Sequence, residues 1–331
     1  MELRLGVDLR AREHQGSRLR IGQVVEVRPA AEILATLDDL AAKDALPFMP
    51  EMLQSVGRRF TVTAHAQKLC DTRSDGTGNR LFHDAVYLDD LRCDGSAHGG
   101  CQAGCRTLWR TAWLRPVSDD EPAPDDAVAA AELRRLAHAA TRRDADAYRC
   151  QATELGAASD AFPAGDRGRK YLQEVRCGNV GVRRFLRVLV RAVWRKVART
   201  LRLHRDIALW SNAKAAASTP LELRPGELVQ VKSRREIART LDGNGRNRGL
   251  AFDWEMLPHC GRTFRVQDRV ERFIDENTGT MVELKNECLI LEGVVCSGDL
   301  SAGRWFCPRA IYPYWREDWL RRVNGGEEAR A

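Results

Sequence analysis

The sequence lacks long apolar runs. No window approaches the roughly 18 consecutive apolar residues that a membrane-spanning helix needs. The N-terminal stretch MELRLGVDLRAREHQGSRLRIG is charged throughout and has no apolar segment of the secretory type. Phosphate-binding glycine loops, dinucleotide fingerprints and serine-centred elbows are absent, which excludes the common nucleotide-binding and serine-hydrolase classes. GNGRNRG, from Gly243, lacks the strand–helix context of a phosphate loop. Paired CxxC motifs are absent too. The expectation is a cytoplasmic chain, where thiols stay reduced. Its ten cysteines then read as metal ligands or reactive groups, not as disulfides.

What is present is an internal repeat. GQVVEVRPAAEILATLD begins at Gly22 and GELVQVKSRREIARTLD at Gly226. LPFMPEM from Leu46 then matches LAFDWEM from Leu250, VGRRFTV matches CGRTFRV, and WRTAWLRPV from Trp109 matches WREDWLRRV from Trp315. The 331 residues therefore divide into an N-terminal segment 1–21, repeat one 22–117, a connector 118–225, repeat two 226–323 and a tail 324–331. Alternating stretches such as GQVVEV and RFTVTA predict short strands, and EILATLD and EIARTLD predict one short helix per repeat. The fold class expected is α+β, mostly β. Two homologous small antiparallel barrels of the Src-homology-3-like kind are joined by a helical connector.

The connector begins with an acidic, proline-containing stretch, SDDEPAPDDAVAA, and ends with AKAAASTPLELRPG. Between them, 180–205 predicts a long helix. Val182, Phe185, Leu186, Leu189, Val193, Val197 and Leu201 form one apolar stripe. Arg183, Arg184, Arg187, Arg191, Arg195, Lys196, Arg199 and Arg202 crowd the other faces, with no acid among them. Such a stripe predicts a core helix whose charged face is solvated or pairs with the acidic stretch. Nucleic acid or an anionic membrane, bound through 183–202 with Trp194 at the flank, is the alternative.

CDGSAHGGCQAGC, residues 93–105, carries the densest chemistry. Cys70, Cys93, Cys101 and Cys105 predict a tetrahedral structural zinc site in repeat one, with His98 as a replacement ligand. A small barrel gains folding free energy from such a metal. Repeat two keeps Cys296 and Cys307 but has Ile274 and Ile311 at the other two places, so it is expected to hold no metal or a degenerate site. For catalysis, His83, Asp84 and His98 are the candidates, with Asp71 nearby; His83 beside Asp84 has the pattern of a base with a carboxylate. Glu51 and Glu255, matched in PEM and WEM, are expected to fix the fold by accepting backbone N–H groups.

CDGSAH resembles the CDGSH iron–sulfur motif over six residues, with Ala97 inserted. Asp90, Leu91 and Arg92 stand where that family has its upstream paired cysteines, so iron or an iron–sulfur centre remains the alternative to zinc. The whole chain resembles bacterial tandem-repeat proteins that share TLD, PFMPEM, GRRF, CDGxAHxGCQAGC and WREAWL. Those motifs stand here at 36–38, 47–52, 57–60, 93–105 and 109–114, with Thr111 where the family tends to have an acid. The resemblance implies a family-level domain with no established activity, and assigns no catalytic residue. The function expected is a zinc-binding accessory protein that presents its barrels to a protein partner. A metal- or thiol-dependent enzyme with its site in repeat one is the alternative, and nucleic-acid binding the second.

Overall fold

The structure, a computed structural model, describes residues 19–73, 78–117, 126–162, 168–200, 221–301 and 303–323. Most of the N-terminal segment, the acidic stretch 118–125, residues 201–220 and the tail lie outside the described residues. The protein is mostly β, with several antiparallel sheets and a few helices. The helices are α1 (Ala30–Leu34), α2 (Ala127–Ala139), α3 (Arg169–Arg176), α4 (Val182–Thr200) and α5 (Arg234–Ala238).

Repeat one contains a five-stranded sheet. Its order is Trp109–Arg110, Ala85–Leu88, Arg59–His65, Val24–Val27, Leu114–Pro116. Repeat two reproduces four of these strands, and an isolated bridge between Leu289 and Trp315 stands in place of the fifth. Val24 faces Thr61 as Leu228 faces Arg265, and Val27 faces Leu114 as Val231 faces Leu320. A bulge interrupts the ladder between Val62 and Ala64, and its counterpart falls between Val266 and Asp268. The first and last strands in the order are consecutive in the chain, joined only by the 3-10 turn Thr111–Trp113. Such a link reaches at most about 14 Å. The edges of a flat five-stranded sheet would lie about 19 Å apart. The sheet is therefore curled, although its edge strands do not pair with each other among the described residues.

The same side chains fill both cores. Phe48 stands edge-on to Trp109 and Trp113, as Phe252 does to Trp315 and Trp319. The indole N–H of Trp113 donates to Thr36 Oγ1 at 3.1 Å, and that of Trp319 to Thr240 Oγ1 at 3.0 Å. Buried Arg110 donates to the carbonyls of Lys43, His83 and Asp44, and Arg316 to those of Asn247, Glu287 and Arg248. Large aromatics, with the indole N–H groups of Trp109, Trp113 and Trp319 bonded to threonine hydroxyls and that of Trp315 left unpaired, give a small sheet an interior it could not build from aliphatics alone.

The two repeats pack through their loops. Gln102 donates to the Arg269 carbonyl and accepts from the Glu271 and Arg272 amides. Arg309 of repeat two donates to the Cys70 carbonyl, Thr72 Oγ1 and Glu276. Helices α3 and α4 lie against Trp305 and Phe306. The α4 stripe departs from the sequence expectation of a core helix. Only Val188 is buried and Phe185 half-buried on this seam; most of the remaining apolar residues are exposed.

Candidate metal centre

The strand Ala85–Leu88 runs into Cys93, whose N–H donates to the Cys105 carbonyl at 2.8 Å and pins the base of the loop. Gly95 then reverses the chain at φ +71°. A Cβ there would sit 1.9 Å from the Cys101 carbonyl oxygen, so only glycine permits the turn. The Gly95 carbonyl accepts from the His98 and Gly100 amides, and Asp94 Oδ1 accepts from the Ser96 amide. This fold of the loop drives His98 inward. From the other side comes Glu51, on the 3-10 turn Pro50–Ser55, which the buried Pro50 and Met52 hold against the core.

Glu51, Cys93 and His98 bring one ligand atom each to within 4.8 Å of one another. His98 Nδ1 lies 3.9 Å from Glu51 Oε1, and both side chains are almost wholly buried. Both carboxylate oxygens of Glu51 and both ring nitrogens of His98 lack a hydrogen-bond partner. A buried polar atom left unpaired costs about 1–3 kcal/mol, and native proteins keep few of them. Four on two touching side chains, beside a thiol, form a donor set with nothing to donate to. Imidazole, thiolate and carboxylate are the ligand types of a transition-metal ion such as zinc. Burial, and then the Glu51 carboxylate, push the Cys93 thiol up. Burial lowers His98 against the pull of Glu51. In this state Cys93 is no activated nucleophile, which would need a depressed pKa. The residues fit a cation instead.

The structure brings together two of the residues singled out in the sequence, Cys93 and His98. Cys101 and Cys105 stay apart from this group and line the neighbouring cavity. Cys70 faces repeat two: its N–H donates to Cys307 Sγ at 3.1 Å. Burial acts to raise Cys307, but the hydrogen bond from Cys70 and the charge of Lys68 outweigh it and bring it down, while Cys70 goes up. His83 and Asp84 lie at the exposed surface, with His83 Nε2 3.4 Å from Asp160. Asp71 is held by Arg73. Sequence reasoning missed Glu51 as a ligand. The match of Glu51 with Glu255 in the sequence points to one structural role for both.

That role belongs to Glu255 alone. Its carboxylate accepts from the Leu300 and Ser301 amides at 2.7 and 2.8 Å and from Ser297 Oγ at 2.6 Å. Cys101 N–H donates to the His98 carbonyl, and Cys307 N–H to that of Arg304, so Arg304 stands where repeat one has histidine. In repeat two the acid is therefore taken up by the chain's own donors.

The centre forms part of the wall of a cavity of about 310 Å³ between the repeats. Cys101, Cys105 and Cys150 line it from repeat one and the connector; Phe273, Arg309, Tyr312 and Tyr314 line it from repeat two. Burial pushes Cys105 up to about 12 and Cys150 up to about 11, so these thiols stay protonated at neutral pH. Arg309 is engaged by Glu276 and Thr72, and Gln151 by the Leu108 and Pro47 backbone, so the cavity walls are largely apolar toward a ligand. Nothing in the sequence of the connector marks Cys150 or Gln151; only the packing does. No family model, curated protein or solved structure matches the chain.

Proposed function

We propose that the chain is a metal-dependent enzyme acting on a small, largely apolar molecule bound between the two repeats. The observation that carries this is the set of four unpartnered, buried polar atoms on Glu51 and His98, gathered with Cys93 at the cavity wall. Three protein ligands with an adjoining cavity is the arrangement of catalytic zinc sites; structural sites close all four positions with protein. Glu51, Cys93 and His98 would hold the ion, with zinc the first choice and iron the second. A bound dication supplies Lewis acidity, toward a carbonyl or a water molecule. The chain contributes the rest: apolar walls that exclude water, and a volume at the small end of ligand pockets. We read each curled sheet as a small barrel of the Src-homology-3-like kind that serves as a wall of this chamber.

Cobalt-loaded protein tests the reading without a known substrate. One cobalt per chain with a thiolate charge-transfer band is expected. The band should be lost in Cys93→Ser and binding weakened in Glu51→Gln and His98→Ala. Addition of azide should shift the ligand-field spectrum, because an exogenous ligand takes the open position. Absence of bound metal sinks the proposal. A bound metal that is indifferent to azide, and to small acyl ligands, returns the chain to a structural zinc role.

A further inference from the structure

Helix α4 leaves an apolar face that neither the cores nor the candidate metal centre uses. Val182, Leu186, Leu189, Val190, Val193, Trp194 and Val197 range from 42% to 67% exposed. At 100° per residue they fall within an arc of about 140°. Val188 lies opposite that arc and Phe185 about 40° beyond its Leu189 edge, and both pack on Phe306. The helix thus sits between the body of the protein and whatever covers its outer face. Exposed Arg187 and Arg191 border the arc beyond Trp194, and exposed Arg183 lies at its edge. The helix contains no acidic residue.

We propose that α4 docks the protein in the plane of an anionic lipid surface. A helix with a wide apolar face, arginines along its border and a tryptophan between them is built to lie at the headgroup boundary. No helix among the described residues is long and apolar enough to cross a membrane, so this one lies on the surface. Nucleic acid would engage the arginines but leave the valines and leucines in water. A second copy packed face to face would set two acid-free arginine borders side by side, which like-charge repulsion opposes. Anionic lipid answers both features at once. It takes the apolar side chains below the headgroups and pairs the guanidinium groups with phosphate. Trp194, amphipathic and 67% exposed, marks the depth of the boundary.

The test is flotation of the full chain with vesicles of equal parts phosphatidylcholine and phosphatidylglycerol, and with phosphatidylcholine alone. Binding to the first and little to the second is expected. Arg187→Gln with Arg191→Gln should weaken binding about thirtyfold, at roughly fivefold for each charge near the surface. Leu189→Gln with Val193→Gln should weaken it at least tenfold. Both pairs replace exposed side chains, so thermal unfolding monitored by circular dichroism should stay within a few degrees of the parent. Brominated lipid should quench emission in the parent and much less in Trp194→Phe. Failure to float with the anionic vesicles overturns the proposal. So does flotation that ignores the Leu189/Val193 pair, above all if duplex DNA competes for it. A dimer in sedimentation velocity that this pair converts to monomer, without vesicle binding, assigns the face to a second copy instead.

Discussion

Glu51 and Glu255 occupy corresponding 3-10 turns and have opposite surroundings: the first accepts nothing, the second three hydrogen bonds. In metal-free protein, Glu255→Gln should therefore cost about 2 kcal/mol in urea unfolding, because three donors lose their charged acceptor. Glu51→Gln should be neutral or stabilising there, and destabilising only once metal is added. A second residue gives a pH signature. Glu174 is fully buried, with Oε2 bonded to Asn179 Nδ2 at 2.7 Å and Oε1 unpartnered. Burial raises it to about 7, against a smaller opposing pull from Lys68. The folded state thus holds the proton more tightly than the unfolded chain. The stability this gives is complete below the ordinary glutamate range and is lost as pH rises through about 7. Relative to Glu174→Gln, the parent should lose about 3 kcal/mol between pH 4 and 8. A pH-independent difference between the two proteins would refute the assignment. His98 and Cys93 were legible as residues because metal chemistry has few ligand types. Glu51 was not, since a carboxylate that caps backbone and one that waits for a cation look alike in a motif.

At the scale of elements, the strands and the short helices were readable from alternation and from the repeat itself. Two copies of one pattern constrain each other, and the observed registers agree between them. The α4 stripe was readable as a helix but not as a surface. Periodicity reports amphipathicity, and a face turned to solvent and one turned to a core have the same period. The loop 93–105 showed its glycines and not its inward histidine, because the fold of a loop depends on contacts that spacing does not encode. Gly95→Ala tests how far the centre depends on that loop. The added methyl would meet the Cys101 backbone, in a backbone conformation that disfavours alanine. Metal uptake should fall by more than tenfold, and the thermal midpoint should drop by several degrees. Wild-type cobalt affinity in that variant would detach the centre from the turn.

Across the whole molecule the repeats are joined by buried polar ties. Arg309 is the largest of them, reaching the Cys70 carbonyl, Thr72 and Glu276 at once. Arg309→Leu removes the guanidinium from the Cys70 carbonyl and from Glu276, which keeps only Thr72. A loss of about 3–5 kcal/mol is expected for breaking such a buried pair. Denaturant unfolding of the parent should be a single transition, and that of the variant should separate into two as the repeats uncouple. A single, unshifted transition would show that Arg309 does not join them. None of these ties was legible in advance, because each links residues roughly two hundred positions apart with no local signature.

The segment between Cys296 and Cys307 is three residues longer than that between Cys93 and Cys101. It folds back so that the Leu300 and Ser301 amides and the Ser297 hydroxyl point at Glu255. This loop is a peptide counterfeit of a cation, with partial positive charges converging on a carboxylate where repeat one leaves room for an ion. On the proposed reading the chain holds one open and one filled copy of the same geometry, and the filling resides in a single graftable stretch. Transplanting residues 94–100 in place of 297–306 removes the counterfeit and restores a histidine. Elemental analysis should then count two ions per chain instead of one, the second in a repeat now serving as a wall.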